Sequence, residues 1–64
     1  MSDAARALQV ANEHHEAGRL VEAERAFRAA IAANPLEPVL HYSLGNTLKV
    51  AGRLDEAERS YAAP

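Results

Sequence analysis

Glu13-His14-His15-Glu16 puts four potential metal ligands in a row. Zinc held on a helix needs histidines one turn apart, because only side chains at i and i+4 point the same way. Adjacent histidines diverge by about a hundred degrees. The expectation is therefore a packed imidazole at His14 beside a solvated one at His15, with no metal. The hydroxyls are Ser2, Tyr42, Ser43, Thr47, Ser60 and Tyr61. None sits in a motif with a base and an orienting partner, as a nucleophile requires. Gly18, Gly45 and Gly52 stand alone, so no glycine-rich loop could cradle a phosphate. Glu22/Glu24 and Glu56/Glu58 are two apart and face different ways, which suits helix-start charges rather than a catalytic dyad. Neither catalysis nor a cofactor is expected from these residues.

The elements that carry them are helical. Ala, Leu, Glu and Arg dominate the chain and β-branched residues are scarce. Its 64 residues allow one small domain. A chain of this size buries only ~60 % of the surface its unfolded form exposes, so stability is marginal. There is no cysteine to supplement the core. Seven basic and nine acidic residues are well mixed, with no basic stripe for phosphates, so nucleic acid is not expected. The longest apolar run, 29–33, is far too short to cross a bilayer, and the start of the chain lacks the apolar core of a signal peptide. A soluble, cytoplasmic protein is the expectation.

Ser2 or Asp3 can cap a first helix that runs to about Ala17, with Ala7, Val10, Ala11 and His14 on one face. Gly18 closes it. A second helix starts near Leu20 or Val21, with Glu22 and Glu24 in its first turn and Leu20, Ala23, Phe27, Ala30 and Ile31 inward. Glu24 and Arg28 are spaced to pair. Asn34-Pro35 ends it. Pro38 opens a third helix with His41, Leu44, Gly45 and Leu48 on its face, closed by Gly52. A fourth begins near Leu54, with Leu54, Ala57 and Tyr61 inward. Pro64 stands where another turn is due. No stretch alternates with period two, so no strands are expected. The short turns make neighbouring helices antiparallel.

One stretch occurs twice. Residues 17–25 return at 51–59 with a single exchange, an offset of 34 residues. At that offset 4–30 and 38–64 share ten identities in 27 positions: 12, 17–20, 22–25 and 29. Such a period signals a repeat architecture.

The residues that carry the repeat resemble the tetratricopeptide pattern. The second copy reads His41-x-x-Leu44-Gly45-x-x-Leu48, then Ala57-x-x-x-Tyr61. The first reads Ala7-x-x-Val10-Ala11-x-x-His14, Ala23-x-x-x-Phe27 and Pro35. The resemblance implies an all-α, antiparallel helix-turn-helix solenoid wound as a right-handed superhelix. It would have four helices with the last one truncated, divided into repeats at 4–37 and 38–64. It implies protein–protein recognition, with a peptide or a partner's helix in a concave groove lined by the first helix of each repeat. By register the groove positions are Leu8, Asn12 and His15, then Tyr42, Asn46 and Lys49. Asn12 and Asn46 would form a ladder of amides, able to pair with both N–H and C=O of an extended peptide. The subgroup that grips chaperone C-termini needs a lysine where this chain has Leu8 and an asparagine where it has Ser43, so it is not expected. The wording Ala-Gly-Arg-Leu-x-Glu-Ala-Glu is similar to repeats preceding bacterial glycosyltransferase or sulfotransferase domains. That leaves a substrate-presenting fragment of a larger enzyme as an alternative, and self-association through the truncated end as another.

Overall fold

The computed structural model describes residues 3–62. They form α1 (Asp3–Glu16), α2 (Leu20–Ala33), α3 (Pro38–Val50) and α4 (Leu54–Ala62), with no strand among the described residues. The expected cap at Ser2 or Asp3 and the residue Pro64 fall on groups outside that description.

Two turns are built alike. The amide of Gly18 donates to the His15 carbonyl at 3.0 Å, and that of Arg19 to the His14 carbonyl at 2.9 Å. Gly52 and Arg53 repeat this on Lys49 and Leu48 at 3.0 and 2.9 Å. This Schellman pairing satisfies carbonyls left over at a helix end. It needs a left-handed residue, and both glycines supply one, at φ 79° and 83°. The α2–α3 connection works differently. Asn34 turns its own amide onto the Ala30 carbonyl at 3.2 Å, and Pro38 occupies the first turn of α3. His41 Nε2 then donates to the Pro35 carbonyl at 2.9 Å, since a carbonyl can only accept. His41, expected inside with a polar edge, is half-buried and pins this turn.

With so few residues between them, α1 and α2 run antiparallel, as do α3 and α4. Helix α2 also packs on α3, while α1 meets α3 only sparingly. The core is one cluster: Ala11, Ala23, Phe27, Ala30, Leu40, Leu44, Leu48 and Ala57. Small residues let the helices approach, and Phe27, Leu40 and Leu48 fill the space between, each contributing about 1.5–3 kcal/mol by leaving water.

Several inward assignments are corrected. Val10 is 44 % exposed, Leu54 57 % and Tyr61 40 %, because no further helix pair lies over them among the described residues. Leu40, which no stripe had included, is fully buried. The acidic side chain in the first turn of α2 is Glu22, and Glu24 lies farther along.

Candidate functional site

Positions 42, 46 and 49 lie one helical turn apart along α3, and 8, 12 and 15 do the same along α1. Their surroundings differ. Leu8 is half-buried against the core cluster. Asn12 is exposed, and its amide has no partner among the described residues. His15 does not stand open as expected. Its ring is half-buried, and Nδ1 lies 2.8 Å from Thr47 Oγ1. Thr47 gives its one hydroxyl proton to the Ser43 carbonyl at 3.1 Å, so it must accept from His15, which fixes the proton on Nδ1. Thr47 is otherwise sealed, and this pair joins α1 to α3.

On α3, Tyr42 is 60 % exposed yet held in place. Its ring lies 5.6 Å from that of Tyr61, tilted by 48°, an arrangement aromatic quadrupoles favour. The Tyr61 hydroxyl donates to Asn46 Oδ1 at 2.6 Å. That leaves the two N–H groups of Asn46 and frees no oxygen of full strength, whereas Asn12 keeps both halves of its amide. The two asparagines are therefore equivalent in position and unequal in chemistry. Tyr61 can come this close because position 45 is glycine. A Cβ there would sit 2.6 Å from Tyr61 Cε1. Lys49 is exposed and borders a hollow with Leu54, Ala57, Glu58 and Tyr61. Tyr42 and Asn46 are thus brought together through Tyr61, while His15 and Leu8 are drawn toward the interior.

Sequence reasoning missed an ion-pair cluster. Glu24 on α2 accepts from Arg28 Nε at 3.1 Å and from Arg53 Nη1. Glu56 accepts from Arg53 Nε at 3.1 Å and from Arg28 Nη2 at 3.4 Å. Four residues from α2, α4 and the turn between α3 and α4 thereby bind one hairpin to the other. Burial pushes the Glu24 carboxyl upward, but hydrogen bonds from Arg28 and Arg53, with their charge, outweigh it and hold it below its ordinary value. The Arg53 guanidinium is pushed higher still by Glu56 and then Glu24. Only the Glu24–Arg28 spacing was visible beforehand. The cross-links join positions 29 and 28 apart, which no helical period marks.

No group of three or more His, Cys, Asp or Glu among the described residues could hold a metal ion. No helix there is long and apolar enough to cross a membrane. The family model described as tetratricopeptide repeat matches residues 14–63. No curated protein and no solved structure matches the chain.

Proposed function

Because the chain belongs to the tetratricopeptide repeat family, a family of protein-interaction modules, we propose that it binds an extended peptide or a partner's helix across α1 and α3. The observation that carries this reading is Tyr42, a largely exposed aromatic fixed by Tyr61 beside the Asn46 amide. A pre-positioned aromatic contributes contact area without the entropy of immobilising a loose ring. The free N–H groups of Asn46 suit a backbone carbonyl, and Asn12 can meet both sides of a peptide unit. Lys49 adds a cation at the α3 end, which favours acidic segments.

The role is binding, not conversion. Two hydroxyls are already engaged, Thr47 on Ser43 and Tyr61 on Asn46.

Selection from a random peptide library against the whole chain, followed by amide-shift mapping by NMR, tests the reading. Shifts should concentrate at Asn12, Tyr42, Asn46 and Lys49. Asn46→Ala and Tyr42→Ala should each weaken the selected peptides about tenfold with helicity unchanged. Peptides that instead map to the hollow formed by Arg28, Ile31, His41, Leu44 and Arg59 would overturn it.

A further inference from the structure

The internal joint between the hairpins can be translated by the 34-residue period onto the two outer faces. Glu24, which meets Arg53 across the joint, becomes Glu58. Arg53 becomes Arg19. His15, which meets Thr47, becomes Lys49, and Thr47 becomes Glu13. The face beyond α4 therefore carries Glu58 and Lys49, and the face before α1 carries Arg19 and Glu13. Of the three polar contacts across the joint, two translate into opposite charges, Glu58 with Arg19 and Lys49 with Glu13; the third, Arg28 with Glu56, becomes Ala62 with Glu22, which neither attracts nor repels. All four side chains of the two charged pairs are exposed and form no ion pair among the described residues. The apolar parts translate too. Tyr61 and Leu54 lie open on one face and Val10 on the other.

We infer that a second copy of this chain docks head to tail, its Arg19 face on the Glu58 face of the first, reproducing the joint between the hairpins. This surface shares Lys49 with the α1/α3 groove proposed above, but Glu58 and Arg19, which the test reverses, are not groove positions, so either reading can fail alone. One residue weakens the contact. Arg6 stands where the joint has the fully buried Leu40. The intermolecular version also lacks the millimolar effective concentration that a short linker gives the internal one. Association is therefore weak and reversible. Because the two faces differ, it is open-ended rather than a closed dimer.

Analytical ultracentrifugation of the whole chain, wild type and two charge reversals, tests this. In low salt the wild-type average mass should climb with concentration, and added salt should suppress the rise. Glu58→Arg and Arg19→Glu should each weaken self-association roughly tenfold, since each places like charges together. Mixed in equal amounts, the two variants match at both contacts between unlike chains, Arg at 58 against Glu at 19 and Glu at 58 against Arg at 19, while contacts between like chains stay repulsive. The mixture should recover the concentration-dependent rise in mass, as an alternating assembly that neither variant forms alone. Circular dichroism checks that both variants keep their helices. A wild type that stays monomeric at every concentration would overturn the inference. So would reversals that associate as well as wild type, or a mixture that behaves as the sum of its parts.

Discussion

Phe27 and Tyr61 hold the same place in their hairpins, four residues after an alanine that is buried in both. Phe27 is 0 % exposed, while Tyr61 is 40 % exposed. The side chains differ by one hydroxyl, so the neighbours decide. Helix α3 packs on α2 and shares the core cluster of Phe27 through Leu40 and Leu44, whereas no further helix among the described residues packs over Tyr61. The exposed ring has instead leaned over Gly45 and found Asn46 and Tyr42. A repeat unit of this kind fixes its own backbone through local turns, but the burial of its aromatic depends on the unit that follows.

The largest test of that contrast is truncation of the two rings. Phe27→Ala should cost about 3–5 kcal/mol. A 64-residue chain has roughly 3–10 kcal/mol in total by per-residue averages, so this variant should be largely unfolded by circular dichroism at 25 °C. Tyr61→Ala should cost about 1–2 kcal/mol, because part of the ring is already in water. Equal costs in urea titrations would mean that the two environments are alike.

The turns should show no such asymmetry. Gly18→Ala and Gly52→Ala each force a Cβ into a left-handed conformation, with no other atom within 4 Å to collide with. Each should lose about 1–2 kcal/mol. A much smaller loss at Gly52 would mean that the second hairpin contributes little to the cooperative unit.

A smaller effect separates Arg53 from Arg19, its counterpart 34 residues earlier. Arg53→Ala should lower the melting temperature in dilute buffer and much less in high salt, because its partners Glu24 and Glu56 are near the surface. Arg19→Ala should change it less, having no ion pair to lose. The same cluster gives a pH signature. Glu24 titrates lower in the folded chain than its ordinary 4.5, so the unfolded state binds more protons as acid is added. Its contribution is complete above about pH 4.5 and disappears as the pH falls through the depressed value. The difference in urea midpoint between wild type and Glu24→Gln should shrink over that interval.

The smallest expected change is Gly45→Ala. Position 11 already holds alanine, so the exchange makes the hairpins more alike. Replacing a mid-helix glycine favours the helix by up to ~1 kcal/mol, and displacing the Tyr61 ring offsets this. Stability should hardly move. The ring should leave Tyr42 and Asn46, seen as loss of Tyr42–Tyr61 cross-peaks in NMR spectra.

The helix ends were legible because glycine and proline act locally: Gly18, Pro35, Pro38 and Gly52 each mark a boundary where the chain turns. The buried stripe of α2 was legible because both its neighbours lie within the sequence. Leu40 was not, because its counterpart is Arg6 and a search for equivalence passes over positions that differ. Val10, Leu54 and Tyr61 were placed inside because periodicity assigns a face without saying whether anything rests on it. Among the candidate site residues, Asn12, Tyr42 and Lys49 are exposed, while Asn46 is half-buried and engaged by Tyr61. His15 did not stand free, and its tie to Thr47 joins two positions that no period relates.

The chain has no tryptophan, one phenylalanine and two tyrosines, and both tyrosines belong to the second hairpin. They lie 5.6 Å apart, one of them hydrogen-bonded to an amide oxygen. Ultraviolet emission from this polypeptide is thus an intrinsic reporter on α3 and α4 alone, blind to the half that contains Phe27. Far-ultraviolet ellipticity sums over all four helices. Recording both signals along one thermal scan would reveal, without any label, whether the two halves melt together or the tyrosine half lets go first.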